Sequence, residues 1–404
     1  SKSIKFNRNI FRMFVDRVFI KKGFGTVVTG TVSSGEASIG DIVEILPQNS
    51  SVKIRGLHSH DKQVKKIEIG DRAAINLQSK EKILFQRGNQ LSSENYFSKT
   101  QLIGVKINTL LKSKTKIKHN QRVRFHLGTQ EVMGRVLLAG KNDNLSFSAV
   151  IKLEKQIIAS FKDRFIIRSY SPVSTIGGGE ILDSNLKGKW NFISEYVNNL
   201  FESKNIFRKI KKIIEGNCNI YNLNSLSKKM GISENILNDY LKEIEEIIYL
   251  KINNIEWLFT TNQYEILEKD IVGILEDNHK KNPDRIGYLK EELNKNFKFN
   301  LNLLEKVLMN LSEKKLIKIE NDFYSKIDFS IQFSENDKLI RNKIISLLNE
   351  EHFATSNLEN LSKIINESKN TILRILKIEV SKNSLIIINN NIYLTEKNYK
   401  MLLK

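Results

Sequence analysis

Along the first 185 residues, apolar and polar positions alternate in short runs, at 15–20, 26–32, 42–46, 52–58 and 72–77. A period of two is the mark of a strand with one buried face. Gly35, Gly40, Pro47, Gly70 and Gly88 punctuate these runs as turn residues. Many short strands at this spacing predict a barrel or a sandwich. The style repeats at 101–107, 122–127, 131–138, 146–153 and 164–169, which predicts a second small β-domain. The most constrained stretch runs from Gly23 to Val32. Gly23 and Gly25 permit backbone angles that a side chain forbids, and residues 26–32 place β-branched side chains on both faces.

Near residue 188 the period changes. Ile206, Ile210, Ile213 and Ile214, then Leu237, Tyr240, Leu241 and Ile244, recur at three and four, the spacing of a helix. The rest of the chain reads as a unit of roughly 65 residues repeated: helix, short helix, helix and hairpin. In the first unit Asn224-Ser225-Leu226 opens a short helix, Gly231 turns the chain and Ser233 caps the next helix. The hairpins turn at Asn253-Asn254, Asn321-Asp322 and Asn389-Asn390-Asn391. This is the winged-helix plan. The expected fold class is multidomain, β followed by α+β. Two small β-barrels span 1–92 and 93–187. Winged helices follow at 188–262, 263–327 and 328–394, and residues 395–404 start a truncated fourth.

Charge adds a direction to this plan. The net charge is +20, and residues 1–188 hold 32 Lys and Arg against 15 Asp and Glu, whereas the remainder holds 33 against 30. A strongly basic, β-rich half suggests a phosphate backbone as partner, against the plainer alternative of a solvated basic surface. One cysteine, Cys218, excludes a disulfide framework and a Cys-based zinc site. No run of 18 apolar residues occurs, so a soluble, cytoplasmic protein is expected. The phosphate loop G-x-x-x-x-G-K-[S/T] and the Asn-Lys-x-Asp guanine motif are both missing. Gly177-Gly178-Gly179 is followed by no Lys-Ser or Lys-Thr and reads as a tight backbone corner. His58 and His60 share a face without a third ligand nearby in sequence, and no nucleophile–base pair stands out, so neither metal nor catalysis is expected.

The order of two barrels and tandem winged helices resembles the bacterial selenocysteine-specific elongation factors (SelB). The residues that carry the resemblance are Phe11–Phe19 with the glycine hairpin, Gly70–Leu77, Phe125–Thr129 with Gly134-Arg135-Val136, and above all Asp163–Asp183; His279, Pro283 and Gly287 are similar to the family's second winged helix. The chain begins at Ser1 without a methionine, and is expected to be a fragment lacking the family's GTPase domain and most of its last winged helix. The resemblance implies that the barrels bind selenocysteinyl-tRNA for UGA recoding. It further implies that winged helices tether the intact factor to an mRNA hairpin beside the ribosome, and that GTP and Mg bind only at the missing domain. It places Asp16, Arg17 and Arg72 in the aminoacyl pocket, where a guanidinium suits an ionised selenol; a rim ion pair is the alternative for Asp16. Arg122, Arg124, Arg135, Lys114 and Lys116 are candidates for tRNA phosphates; the two lysines belong to a run at 112–118 for which a solvated loop is the alternative. Helix 233–246 carries five acidic residues and Lys242, so the first two winged helices read as spacers or protein-facing modules. Helix 369–380, with Lys369, Arg374 and Lys377, suits RNA better. Two alternatives stay open: another translation GTPase with an unrelated tail, and a winged-helix nucleic-acid-binding regulator.

Overall fold

The computed structural model describes the chain except residues 1–7, 22–24, 80–82, 111–115, 141–144, 217–219, 321, 352–356, 390–391 and 404. Gly23 and Lys114 therefore lie outside the described residues. Nine strands build the first domain: β1 (Arg12–Lys21), β2 (Gly25–Ser34), β3 (Glu36–Ser38), β4 (Ile42–Leu46), β5 (Ser50–Ser59), β6 (Lys62–Val64), β7 (Lys66–Glu68), β8 (Arg72–Gln78) and β9 (Gln90–Ser92). Six of them close a ring in the order β4-β9-β1-β2-β8-β5, shut by the antiparallel pairing of β4 with β5, while β3 and β7 form a ribbon of their own. The alternation read in the sequence now points inward: Met13, Val15, Val28, Ile45, Ile54, Leu57 and Ile75 fill the barrel.

The second barrel comprises β10 (Lys99–Thr109), β11 (Gln121–Leu127), β12 (Gln130–Leu138), β13 (Ser146–Ile158), β14 (Arg164–Ser169) and β15 (Thr175–Asp183), closed in the order β10-β13-β12-β11-β14-β15. Phe125 and Phe165 face each other inside it with ring centroids 4.9 Å apart. Gly177-Gly178-Gly179 is not a corner but the middle of β15. A Cβ on Gly179 would lie 1.8 Å from the Lys106 carbonyl oxygen, so the glycines serve close approach of strands.

Next come α1 (Trp190–Glu202), α2 (Ile206–Glu215), β16 (Tyr221–Asn222), α3 (Leu223–Met230), α4 (Glu234–Lys242), β17 (Ile247–Ile252) and β18 (Ile255–Thr260), a winged helix with its three strands in the order β16-β18-β17. The cap of α3 is Asn222, in a reciprocal capping box with Ser225, and not the Asn224–Leu226 start expected. Gly231 ends α3 at φ 62°, as its sequence position suggested. Ser233 sits at the N-cap of α4, yet its hydroxyl makes no capping bond; its N–H donates to the Arg8 carbonyl at 2.9 Å. The change of period near 188 does not separate two bodies. Phe161, Leu182 and Leu186 of the second barrel share one core with Ile193, Val197, Leu200 and Ile213, and Ser1–Thr261 forms one compact unit.

The second unit, Asn262–Lys404, repeats the winged-helix plan. Its elements are α5 (Thr261–Lys281), β19 (Tyr288–Leu289), α6 (Lys290–Phe297), α7 (Leu301–Glu313), β20 (Ile317–Glu320), β21 (Phe323–Lys326), α8 (Glu335–Glu350), α9 (Leu358–Ile365), α10 (Lys369–Ser381), β22 (Leu385–Asn389), β23 (Ile392–Thr395) and α11 (Glu396–Leu402). Thr395 caps α11 through the Asn398 N–H. Arg374 of α10, read above as a candidate RNA contact, is held by two carboxylates instead, Asp284 and, at 2.7 Å, Asp337. The buried His279 ring stacks on Phe329 at 3.7 Å, and its Nε2 accepts the Lys326 N–H.

Candidate functional site

β1 pairs with β2 until Val15 faces Gly30; the register then slips, and Arg17 faces Thr29. The residue left over is Asp16. Such a bulge re-aims a side chain out of the ladder. Here it turns the Asp16 carboxylate sideways, where Thr29 Oγ1 donates to Oδ1 at 2.7 Å and Arg72 Nη1 pairs with Oδ2 at 2.7 Å. Partial burial pushes the Asp16 carboxyl up. The hydrogen bonds from Thr29 and Arg72 and the charges of Arg72 and Arg17 outweigh it and hold the pKa below the ordinary carboxylate value.

Arg72 comes from β8, which neighbours β2 on its other side, with Arg72 opposite Thr31. Arg17 and Arg72 thus arrive from two strands at one open cleft of about 920 Å³, which Arg55, His58, His60 and Asn76 also line. Val27, Gly56, Ala73 and Ala74 supply an apolar part of the wall. The arrangement suits a small anionic group on a short apolar stem, with Asp16 fixing the Arg72 guanidinium and leaving Arg17 exposed. Asp16 forms the rim ion pair that the sequence allowed, with Arg72 of the cleft as its partner. Sequence reasoning missed Arg55, and it weighed His58 and His60 only as metal ligands. Their place is set by the fold and not by the sequence: Arg55 is the residue left over at the bulge in β5 between Ile54 and Gly56, and His58 faces Ala74 of β8. Among the described residues no group of three or more His, Cys, Asp or Glu converges.

On the outer face of the second barrel the basic candidates are partly engaged. Arg122 makes a two-pronged bond to Glu154 at 2.8 and 2.9 Å, Arg124 pairs with Glu131 at 2.7 Å, and Arg135 donates to the Asn120 carbonyl at 3.2 Å. Lys116 is exposed. Tyr170 lies beneath the guanidiniums of Arg122 and Arg124, at 4.7 and 5.8 Å from its ring centre. Arg168 stands across from Arg124 in the β11–β14 pairing; the hydrogen bond from Arg124, with smaller help from the Arg168 charge, holds the Glu131 carboxyl below its ordinary value. Tyr170 and Arg168 were missed because only the barrel's curvature brings β14 beside β11. Exposed pairs such as Arg122–Glu154 are worth little in water, so a phosphate can displace the carboxylate.

The stretch that looked most distinctive, Asp163–Asp183, is structural at its first residue. Asp163 accepts from Arg8 at 2.7 Å, from Arg12 at 2.7 and 2.9 Å, and from the Ser160 N–H at 2.9 Å. Arg8 also donates to the carbonyls of Phe161, Met230 and Gly231, and so ties the entry of the first barrel to the second barrel and to the turn after α3. Burial lowers the Arg8 pKa to about 10, against the opposing pull of Asp163. Arg12 is 1% exposed and lies over the Phe97 ring at 4.5 Å.

Comparison with known proteins gives these parts a family. Residues 105–187 match the model of the selenocysteine-specific elongation factor β-barrel domain, residues 25–92 that of elongation factor Tu domain 2, and residues 272–324 that of the elongation factor SelB winged helix. The chain is 34% identical to the selenocysteine-specific elongation factor of Desulfomicrobium baculatum over 43% of this chain and 28% of that protein. It is 24% identical to that of Haemophilus influenzae over 70% of this chain and 45% of that protein. It thus covers less than half the length of these relatives. The crystal structure of a bacterial selenocysteine-specific elongation factor, EF-Sec, superposes with a TM-score of 0.66 at 20% identity, covering 98% of this chain and 61% of that one, which shows the shared fold. In its second barrel and its second winged helix the chain matches selenocysteine-specific elongation factors (SelB), and these matches support its being part of such a factor.

Proposed function

We propose that this chain is the part of a selenocysteine-specific elongation factor that receives selenocysteinyl-tRNA for UGA recoding. The observation that carries the reading is the convergence of Arg17 and Arg72 on one cleft of the first barrel, with Arg72 held by Asp16. A selenol is ionised at neutral pH whereas a serine hydroxyl is not, so a two-arginine cleft distinguishes the correct aminoacyl group from its precursor by charge. Asp16 supplies the complementary anion for the α-amino group. Arg122, Arg124, Arg135 and Lys116 then contact phosphates of the same tRNA. In the intact factor GTP and Mg would sit in a GTPase domain, and winged helices would hold an mRNA hairpin while the tRNA is delivered to the cytoplasmic ribosome.

The test is a titration of this chain with selenocysteinyl-tRNA and seryl-tRNA. A charged hydrogen bond is worth about 1.5–3 kcal/mol. Arg17→Ala or Arg72→Ala should therefore lower the preference for selenocysteinyl-tRNA by about 10- to 100-fold and leave seryl-tRNA nearly unchanged. Parallel loss of both tRNAs would make these arginines phosphate contacts or structural residues and overturn the pocket.

A further inference from the structure

A second cleft, of about 410 Å³, opens at the seam where the linker between the barrels, the end of the second barrel and α3 of the first winged helix meet. Its chemistry is one-sided. Lys187, Lys228 and Lys229 line it together with the hydroxyls of Ser98 and Ser184, and among the described residues no carboxylate does. Just behind the wall the buried Asp183 neutralises one of the three: Lys229 pairs with it and also donates to the Asn185 carbonyl, while Tyr196 donates its hydroxyl to the second oxygen at 2.9 Å. Lys229 is thereby fixed at the floor. Lys228, one residue earlier on α3, is exposed, and Lys187 follows the buried anchor Leu186 and is exposed too. Among the described residues neither Lys187 nor Lys228 has an ion-pair partner.

Two like charges converging from different domains without a counter-ion weaken the seam unless an anion joins them. A cation is repelled, and an apolar ligand would strand the hydroxyls. We propose that this cleft takes phosphoryl groups of an RNA backbone. The first winged helix would then contribute to RNA binding through its barrel-facing seam, although α4, which ends at Lys242 and not at 246 as expected, carries Glu234 and Asp239 against Lys242 alone. The cleft lies apart from the aminoacyl cleft, and the proposal does not depend on that assignment.

The experiment uses the whole chain and a short fluorescein-labelled RNA duplex, titrated between ~50 and ~200 mM salt. Lys187→Ala with Lys228→Ala should weaken binding about tenfold at low salt. It should also flatten the dependence of log K on log salt by about 1.8, the effect of losing two phosphate contacts. The pair Lys204→Ala with Lys251→Ala removes the same charge from exposed positions of the same winged helix outside the cleft, and should change either quantity far less. Lysine acylation read by mass spectrometry, on the unmodified chain, should show Lys187 and Lys228 protected by the duplex. Protection by inorganic pyrophosphate but not by the duplex would keep the phosphoryl chemistry and overturn RNA as its source. Two variant pairs that behave alike, with both lysines unprotected in both arms, would overturn the proposal.

Discussion

At the scale of single residues, the chain spends its arginines in two different ways. Arg12 and Arg8 are buried against Asp163, whereas Arg72 is 57% exposed where it meets Asp16. Removing one partner of a buried pair leaves an uncompensated charge, which costs about 3–5 kcal/mol, while breaking an exposed pair costs about 0–1 kcal/mol. Asp163→Ala should therefore lower the urea midpoint of the first unit severely, since two buried guanidiniums lose their counter-charge, and Arg72→Ala should barely move it. Equal shifts in the two variants would show that the knot at Asp163 does not hold the unit together. Asp16 offers a check by titration. Its pKa is depressed in the folded chain, so its ion pair adds stability above the ordinary value of 3.8, and that contribution is lost as pH falls through the lower, folded value. Carboxyl NMR should find Asp16 titrating below 3.8 and moving upward in Arg72→Ala. Asp16, Arg17 and Arg72 entered the sequence reading through the family resemblance; the structure pairs Asp16 with Arg72 and puts Arg17 and Arg72 on one cleft, and their aminoacyl role is the proposal made above. Arg8 was not legible in the sequence, since a lone arginine ahead of a strand looks solvated until two domains close over it.

At the scale of elements, periodicity identified strands and helices well, and the discrepancies cluster where backbones approach closely. Residues 177–179 read as a corner because glycine is a turn former, yet in β15 they let neighbouring strands come together. Gly231 shows both roles: it holds φ 62°, and a Cβ there would lie 2.3 Å from Ser160 Oγ and 2.7 Å from the Phe97 ring. Gly231→Ala should consequently destabilise the first unit and loosen α3 from the barrels, seen as faster amide exchange at 223–230. Unchanged exchange would mean that the turn tolerates a side chain. In α10 the sequence suggested an RNA-facing basic helix, but its Arg374 serves as a clasp between Asp284 and Asp337. Arg374→Ala should cost the second unit about 1.5–3 kcal/mol, the worth of hydrogen bonds between charged groups, without moving the first unit's transition. A variant that weakens RNA binding but not stability would restore the original reading of that helix.

At the scale of the whole molecule, the division that matters falls at 261 and not at 188. Residues 1–261 hold 42 Lys and Arg against 24 Asp and Glu, and residues 262–404 hold 23 against 21. Separated at this boundary, the N-terminal piece should bind tRNA more tightly and lose affinity steeply between ~50 and ~200 mM salt. Tighter binding by the C-terminal piece, or no dependence on salt, would move the RNA surface elsewhere. The missing phosphate-loop and guanine-reading motifs lead to a further expectation: this chain should not bind a fluorescent GTP analogue, and micromolar affinity would refute it. Alternation, helical period, turn residues and charge bias are local properties, and they were enough to determine two β-domains, repeated winged helices and a basic N-terminal half. Only the tertiary structure decided that the first winged helix shares a core with the second barrel, and that Arg17, Arg55 and Arg72 face one cleft. The physical reason is that strand bulges and barrel closure bring together residues tens of positions apart, and buried charges acquire partners only when domains dock; neither leaves a periodic trace in the chain.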